Sequence, residues 1–504
     1  MLESIQQAVK LHDRYQIEIK LDYELLSGNK THYQIATYIF IPQNLGITKH
    51  TYSKTEFYKD IQNYIRLKTP NLILRDFIEN SASPLHAIER LIATENWANN
   101  PEVKTRLIEN FKLVSAMLKS STRDHFILVQ TRIAEARPES KINLIIHNLV
   151  EEFFVESKKI TDKYRSFYST FNLPNVDRQI FTAYKFTDES LSLLIEESAV
   201  EMFQIVEEYL KKGFKADFKH KLSELVNSEI KHRRAQGYRS FIKEGDDNEE
   251  YIFRVSALKK YASSVLYLST AIRREGVELE HILYSIAAGL SMVFATFIAF
   301  YFQQQYGNFT FPFFIALVVG YMFKDRIKEL GRSLFSKYLQ TILYDRRIVI
   351  RTLDGKHKLG ILREKMAFIR ENEIPSAIVA LRNRDQITDL DNDGQGEHVI
   401  CYSKDIVLYT DTFKDVFVSM PEITGLNDIM RYNIRACLEK MDEPIQAKSY
   451  LDGHQVKTAL CDKVYHLHLV FKYSSSHREG EEIYKHIRLI LNQQGLKRIE
   501  HVAG

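Results

Sequence analysis

The sequence predicts an α+β membrane protein, and three features carry that prediction: a stretch at 281–323 without one Asp, Glu, Lys or Arg, long apolar stripes at helical spacing before it, and short alternating runs near both ends. In order, the chain is expected to form a small β unit over 1–50, a helical bundle over 51–280, a two-helix transmembrane hairpin over 281–323, an amphipathic connecting helix over 324–346 and, over 347–504, a mainly antiparallel β domain with an inserted helix.

The first unit rests on RYQIEIKLDYELL (14–26) and THYQIATYIFIP (31–42), which alternate and are joined by SGNK, so they are expected to pair as a hairpin. From residue 103 the period changes to 3.6. Val103, Leu107, Phe111, Val114 and Leu118 continue into Phe126, Val129 and Ile133. After Pro138 come Ile142, Ile145, Leu149, Phe153, Ile160 and Tyr164. After Thr187-Asp188-Glu189, read as a helix cap, come Leu191, Ile195, Met202 and Ile205. These stripes describe an elongated bundle or coiled-coil-like arms, with the aromatic residues as core. KHRRAQGYR (231–239) is a basic cluster, read either as a contact for anionic lipid headgroups or as a solvated helix end.

HILYSIAAGLSMVFATFIAFYFQ (281–303) is long enough to cross a bilayer, and QQQYGN (303–308) supplies a turn. FTFPFFIALVVGYMF (309–323) is the shorter arm, rising roughly 22 Å against a hydrocarbon core of roughly 30 Å. A hairpin that dips in without crossing is the alternative. Lys259, Lys260, Arg273 and Arg274 precede the arms and Lys324, Arg326, Lys328, Arg332 and Lys337 follow them, while the loop has no charge. That asymmetry places both termini in the cytoplasm. The arms contain no ionisable residue except His281 at the start, and so none of the charges of an ion path. Small residues four apart (Ser285 and Gly289, Ala295 and Ala299, Ala316 and Gly320) allow close packing of one arm on the other, or of one copy on another.

In the last third, strands are expected at 347–352, 357–369, 376–382, 397–403, 405–411, 464–474 and across 484–502, where the two runs flanking NQQG should pair. LNDIMRYNIRACLEKM (426–441) is read as the inserted helix. His466 and His468 share one strand face, taken as the solvated one, opposite Tyr465, Leu467, Leu469, Phe471 and Tyr473.

Composition narrows the function. Sixty-nine basic against 65 acidic side chains leave a net charge of +4, too even to argue for nucleic acid as the main partner. Three cysteines at no ligand spacing fit a reducing compartment and no zinc site. No phosphate-binding glycine loop, nucleophile elbow or H-E-x-x-H occurs. In ITDLDNDGQGEHVI, Asp389, Asp391 and Asp393 occupy alternate positions, with Gln395 and Glu397 following. Oxygens so spaced can wrap calcium or magnesium. These nine residues resemble the calcium loops of integrin-type FG-GAP propeller repeats, although the segment occurs once. An ordinary polar hairpin turn has the same composition. The expected function is a membrane-anchored interaction, scaffold or sensor protein that contacts lipid, an unknown cytoplasmic protein and its own copies. A subunit of an oligomeric channel or transporter, or an enzyme with a site not visible in sequence, is the alternative.

Overall fold

The computed structural model describes residues 5–135, 142–211, 218–308, 310–382, 396–418, 420–475 and 482–502. Strands β1 (Ile5–Asp13), β2 (Gln16–Glu24) and β3 (Thr31–Pro42) precede a short helix α1 (Lys54–Asp60) and strand β4 (Ile61–Leu67). A run of helices follows: α2 (Pro84–Ile92), α3 (Pro101–Glu135), α4 (Ile142–Ser166), α5 (Tyr168–Phe171), α6 (Arg178–Lys211), α7 (Phe218–Ala235) and α8 (Glu249–Ser263). Strand β5 (Ser269–Arg274) leads into the long helices α9 (Val277–Tyr306) and α10 (Phe311–Ile342). Then come β6 (Arg346–Arg351), β7 (Lys358–Ile369), helix α11 (Ser376–Arg382), β8 (Glu397–Leu408) and β9 (Gly425–Asn433). The chain closes with β10 (Ile445–Asp452), β11 (Gln455–Asp462), β12 (Tyr465–Ser475), β13 (Glu482–Asn492) and β14 (Gly495–Val502). These elements form two compact units, one from residues 1–65, 268–412 and 427–504, the other from 66–267 and 413–426.

The first unit holds an eight-stranded sheet, β14-β13-β12-β3-β8-β7-β6-β5, in which every neighbouring pair is antiparallel. The strands flanking NQQG pair as expected. β3 lies between β12 and β8 and is covered on both faces. Tyr38 and Phe40 pack with Ile374, Ile378, Val399 and Val470 under α11. On the other face, the Tyr33 ring sits 5.4 Å from Tyr23 of β2. Phe57 of α1 packs edge-on against Tyr402 at 5.3 Å. A second sheet, β1-β2-β9-β4, closes this side.

Buried between the two sheets is a polar cluster. Lys404 of β8 pairs with Asp428 of β9 at 2.6 Å, and the Tyr23 hydroxyl donates to Asp428 at 3.2 Å. The Tyr402 hydroxyl and the Asn63 amide each donate to Glu364 at 2.6 Å.

Several expectations are corrected here. β2 pairs with β1, with Ile19 opposite Val9, while β3 crosses into the other sheet; SGNK therefore joins two layers and not two hairpin strands. The first fifty residues share both sheets with strands from the C-terminal third and do not stand alone. Residues 376–382 are a helix, not a strand, and the first half of 426–441 is strand β9, with only a four-residue helix at Arg435–Leu438. Residues 397–403 and 405–411 are one strand to Leu408. β10 and β11 form a separate two-stranded ribbon that the sequence reading missed. The connecting helix merges with the second arm, since α10 runs unbroken from Phe311 to Ile342.

The second unit is helical. Leu107, Phe111, Val114, Leu118, Phe126, Val129 and Ile133 of α3 are buried, as their spacing predicts. Phe153, Ile160 and Tyr164 of α4 and Leu191, Ile195, Met202 and Ile205 of α6 are buried with them. The Tyr164 and Tyr184 rings stack at 4.9 Å beside Phe111 and Phe171. The phase of α4 is one residue off at its start: Ile146 and Val150 face the core, and Ile145 is exposed.

Thr187-Asp188-Glu189 is not a cap, because α6 begins at Arg178 and runs through it. These carboxylates serve a buried ionic network. Arg165 reaches Asp188 at 3.1 Å and Glu229 at 2.6 Å, while Arg254 reaches Glu189 at 2.6 Å. The basic cluster at 231–239 turns partly inward to the same network. His232 and Tyr238 each bond Asp188 at 2.8 Å, and Arg233 is buried against Glu196 and Ser192. A lipid-facing patch would need those side chains outside.

Candidate functional site: an apolar hairpin and a cation-lined cavity

The apolar segment folds as two antiparallel helices. Gly276 adopts a left-handed conformation ahead of α9, with Glu278 and Glu280 in the first turn, where acidic side chains suit the helix dipole. Gly307 ends α9 at φ 75°, and Thr310 and Pro312 open α10, where proline loses no hydrogen bond. A Cβ on Gly320 would lie 3.5 Å from Ile298, and one on Gly331 would lie 3.0 Å from the Ala287 Cβ. Small residues thus allow close approach, with Ala287, Ser291, Ala316 and Gly320 at the seam. Ser285 and Gly289 are exposed instead.

Outside the seam α9 shows apolar side chains along its length: Ile282, Ile286, Leu290, Val293, Phe297 and Phe300, the last two 69% and 66% exposed. It is long and apolar enough to cross a membrane. α10 does not meet that measure, because from its fourteenth residue onward it carries Lys324, Asp325, Arg326, Lys328, Glu329, Arg332 and Lys337. The seam sets the depth of these charges. With Ile298 opposite Gly320 and Ala287 opposite Gly331, the charged half of α10 runs beside residues 281–294 of α9. Only the tip, from about Ala295 round to Phe323, is charge-free in both helices. It rises roughly 18 Å.

At the foot of the hairpin, Lys54, Tyr58, Arg273, Arg274, Gln340 and Arg346 line a cavity of about 560 Å³. Asp345 organises its wall, accepting from Lys54 at 2.6 Å, the Tyr58 hydroxyl at 3.1 Å and the Met366 amide at 2.8 Å.

The helical unit contains a cavity of about 420 Å³ between α3, α6 and α8. Its apolar floor includes Leu193, Val255 and Leu258, which pack together as one cluster. Arg66 stands at the end of β4, Lys119 and Arg123 lie one turn apart on α3, and Lys259 and Lys260 are adjacent on α8. Glu197 and Glu201, one turn apart on α6, are its carboxylates. Lys259 pairs with Glu197 at 2.9 Å. Deeper in, the Ser115 and Ser190 hydroxyls are bonded at 2.8 Å. Sequence reasoning missed this site, having counted Lys259 and Lys260 only as charges flanking the membrane segment. The i, i+4 pair Lys119 and Arg123 was the available local signal.

Of the candidate cation ligands, Asp389, Asp391, Asp393 and Gln395 lie outside the described residues. Glu397 opens β8, buried in a two-point pair with Arg382 of α11 at 2.8 and 3.2 Å. No group of three His, Cys, Asp or Glu side chains fit to hold a metal occurs among the described residues.

The histidine face of β12 is covered, not solvated. α11, read from sequence as a strand, lies over it, and His468 is buried with its Nδ1 2.9 Å from Nε2 of His486. Burial, reinforced by Arg382, pushes the two rings down to about 2 and about 4, so both stay neutral. The unfolded chain then binds more protons once pH falls below the ordinary value near 6.5. Stability is therefore complete above that value and is lost as pH falls toward 4. Melting temperatures of the full chain should drop between pH 7 and pH 5, and His468→Asn with His486→Asn should flatten that drop. An unchanged slope in the double variant would place the proton uptake elsewhere.

No family model, curated protein or solved structure matches the chain.

Proposed function

We propose that the protein is a membrane-anchored scaffold or sensor whose hairpin inserts from the cytoplasmic side, with its tip in the acyl chains and both termini in the cytoplasm. The observation that carries this reading is the exposed apolar surface of α9, running from Ile282 to Phe300. Left in water, that much contiguous apolar area would drive aggregation. The depth follows from the seam. Full crossing by both helices would bring Lys324, Arg326, Lys328 and Arg332 alongside the apolar half of α9, at a cost of roughly 2.5–3.5 kcal/mol for each uncompensated charge near the bilayer centre. With the hairpin oblique, those cations reach headgroups while α9 keeps its outer face in lipid.

Membranes from cells expressing the full chain should retain it through alkaline carbonate washing, and a reporter fused after Gly504 should read as cytoplasmic. Recovery of the chain in the wash would overturn the anchor. In a Cys461→Ser background, a cysteine at Asn308 should resist an impermeant maleimide added to intact cells. Labelling there would mean that both helices cross. The charges of α10 would then need a water-filled lumen among several copies, which is the channel reading.

A further inference from the structure

We infer that the cavity between α3, α6 and α8 binds a small organic phosphate of nucleotide size, its phosphate held at the cationic rim and its body against the apolar floor. This does not depend on the membrane reading, since every lining residue belongs to the helical unit. Size is the first argument. About 420 Å³ lies within the range of roughly 300–1,000 Å³ typical of small-molecule sites.

Charge is the second. Five cations and two carboxylates line the space; Lys259 pairs with Glu197 and Arg123 with its neighbour Asp124 at 2.8 Å, and the lining stays net positive. The cations are delivered by three separate elements, so the cluster is not the solvated face of a single helix. The protein around Lys119, and then Lys259, Arg66 and Arg123, hold its ammonium below the ordinary lysine range. Like charges gathered in this way repel, and an anion carrying two or more negative charges relieves them.

The floor decides against a bare inorganic anion. Phe126, Leu193, Val255, Leu258 and Leu266 give it an apolar surface that only an organic body uses. Ser120, Thr69 and Ser263 add polar groups to the lining.

The test uses the full chain in a neutral detergent with AMP, adenosine and sodium pyrophosphate as probes. AMP should raise the melting temperature in proportion to the logarithm of its concentration. Adenosine should have no effect, and pyrophosphate should bind more weakly than AMP. Lys119→Ala with Lys260→Ala should weaken AMP binding by about tenfold or more while the ligand-free melting temperature does not fall, since two cations of a mutually repelling cluster are removed. Should that variant fold poorly, Glu201→Gln probes the site in the opposite direction, removing a rim carboxylate and tightening AMP. Equal stabilisation by adenosine, no response to any phosphate probe, or undiminished binding in the double variant would overturn the proposal. Pyrophosphate binding as tightly as AMP would remove its organic half. A response only to phosphatidylglycerol mixed into the detergent micelles would replace the soluble ligand by a lipid headgroup and overturn the assignment.

Discussion

Lys404→Met should cost about 3–5 kcal/mol, because it leaves Asp428 buried with the Tyr23 hydroxyl as its remaining hydrogen-bond donor between the sheets. Both side chains are almost wholly enclosed, at 2% and 1% exposure, so water cannot replace the lost ammonium. Denaturant unfolding of the full chain measures the loss. Lys404→Met combined with Asp428→Leu should recover much of it, since Asp428 is then not stranded and Glu364 keeps the Tyr402 and Asn63 donors. A single variant within about 0.5 kcal/mol of the parent, the range of surface substitutions, would mean that solvent reaches the pair.

Glu364→Gln in the same cluster should behave differently. Burial raises the Glu364 carboxyl, against the pull of Lys404 and Tyr402. A raised acid contributes stability that is complete below its unfolded value near 4.5 and is lost as pH rises through the folded value. Glutamine keeps an oxygen for Tyr402 and Asn63, so the variant should hold its stability and lose that decline.

The second large effect is in the helical unit. Phe153→Asp should cost at least the roughly 3–5 kcal/mol of a Phe→Ala change, because an unpaired carboxylate replaces a ring packed 5.3 Å from Phe126. Ile145→Asp, two turns earlier and exposed, should stay within about 0.5 kcal/mol. Equal losses at the two positions would mean that the start of α4 follows the phase read from sequence and not the one in the structure.

The contrast between these residues shows what a single sequence can disclose. Long apolar stripes such as Phe111 to Ile133 were legible because burial on one helix face repeats every turn and leaves no second interpretation. β9 was not, and Asp428 is the reason. Leu426, Asp428, Met430, Tyr432 and Ile434 alternate inward along the chain. The acidic residue among them breaks the apolar pattern, since its partner Lys404 lies on another strand. Of the remaining inward positions, Leu426, Met430 and Ile434 are four apart and mimic helical spacing. The seven residues of α11 are too few to show a period, so Ile378 and Val379 suggested a strand. The apolar face of Tyr465, Leu467, Leu469, Phe471 and Tyr473 made the histidine face of β12 read as solvated, and no local signal marks the helix that covers it. The cavity was illegible for a related reason: its cations come from positions 66 to 260, and no local spacing records their meeting.

The place of β3 also sets a timetable for biosynthesis. This strand is made among the first fifty residues, yet its two neighbours are β8, which begins at Glu397, and β12, which begins at Tyr465. At roughly 5–20 residues per second, a ribosome needs tens of seconds to bring them out. During that interval residues 66–267 have emerged and can fold, and the apolar helices have left the exit tunnel. Under the proposed membrane reading, delivery of the hairpin would therefore precede completion of the sheet at its base. Until β8 is made, a strand rich in Tyr, Ile and Phe waits with both edges open, and one edge stays open until Ser475, so a chain truncated before that residue should depend on chaperones to stay soluble.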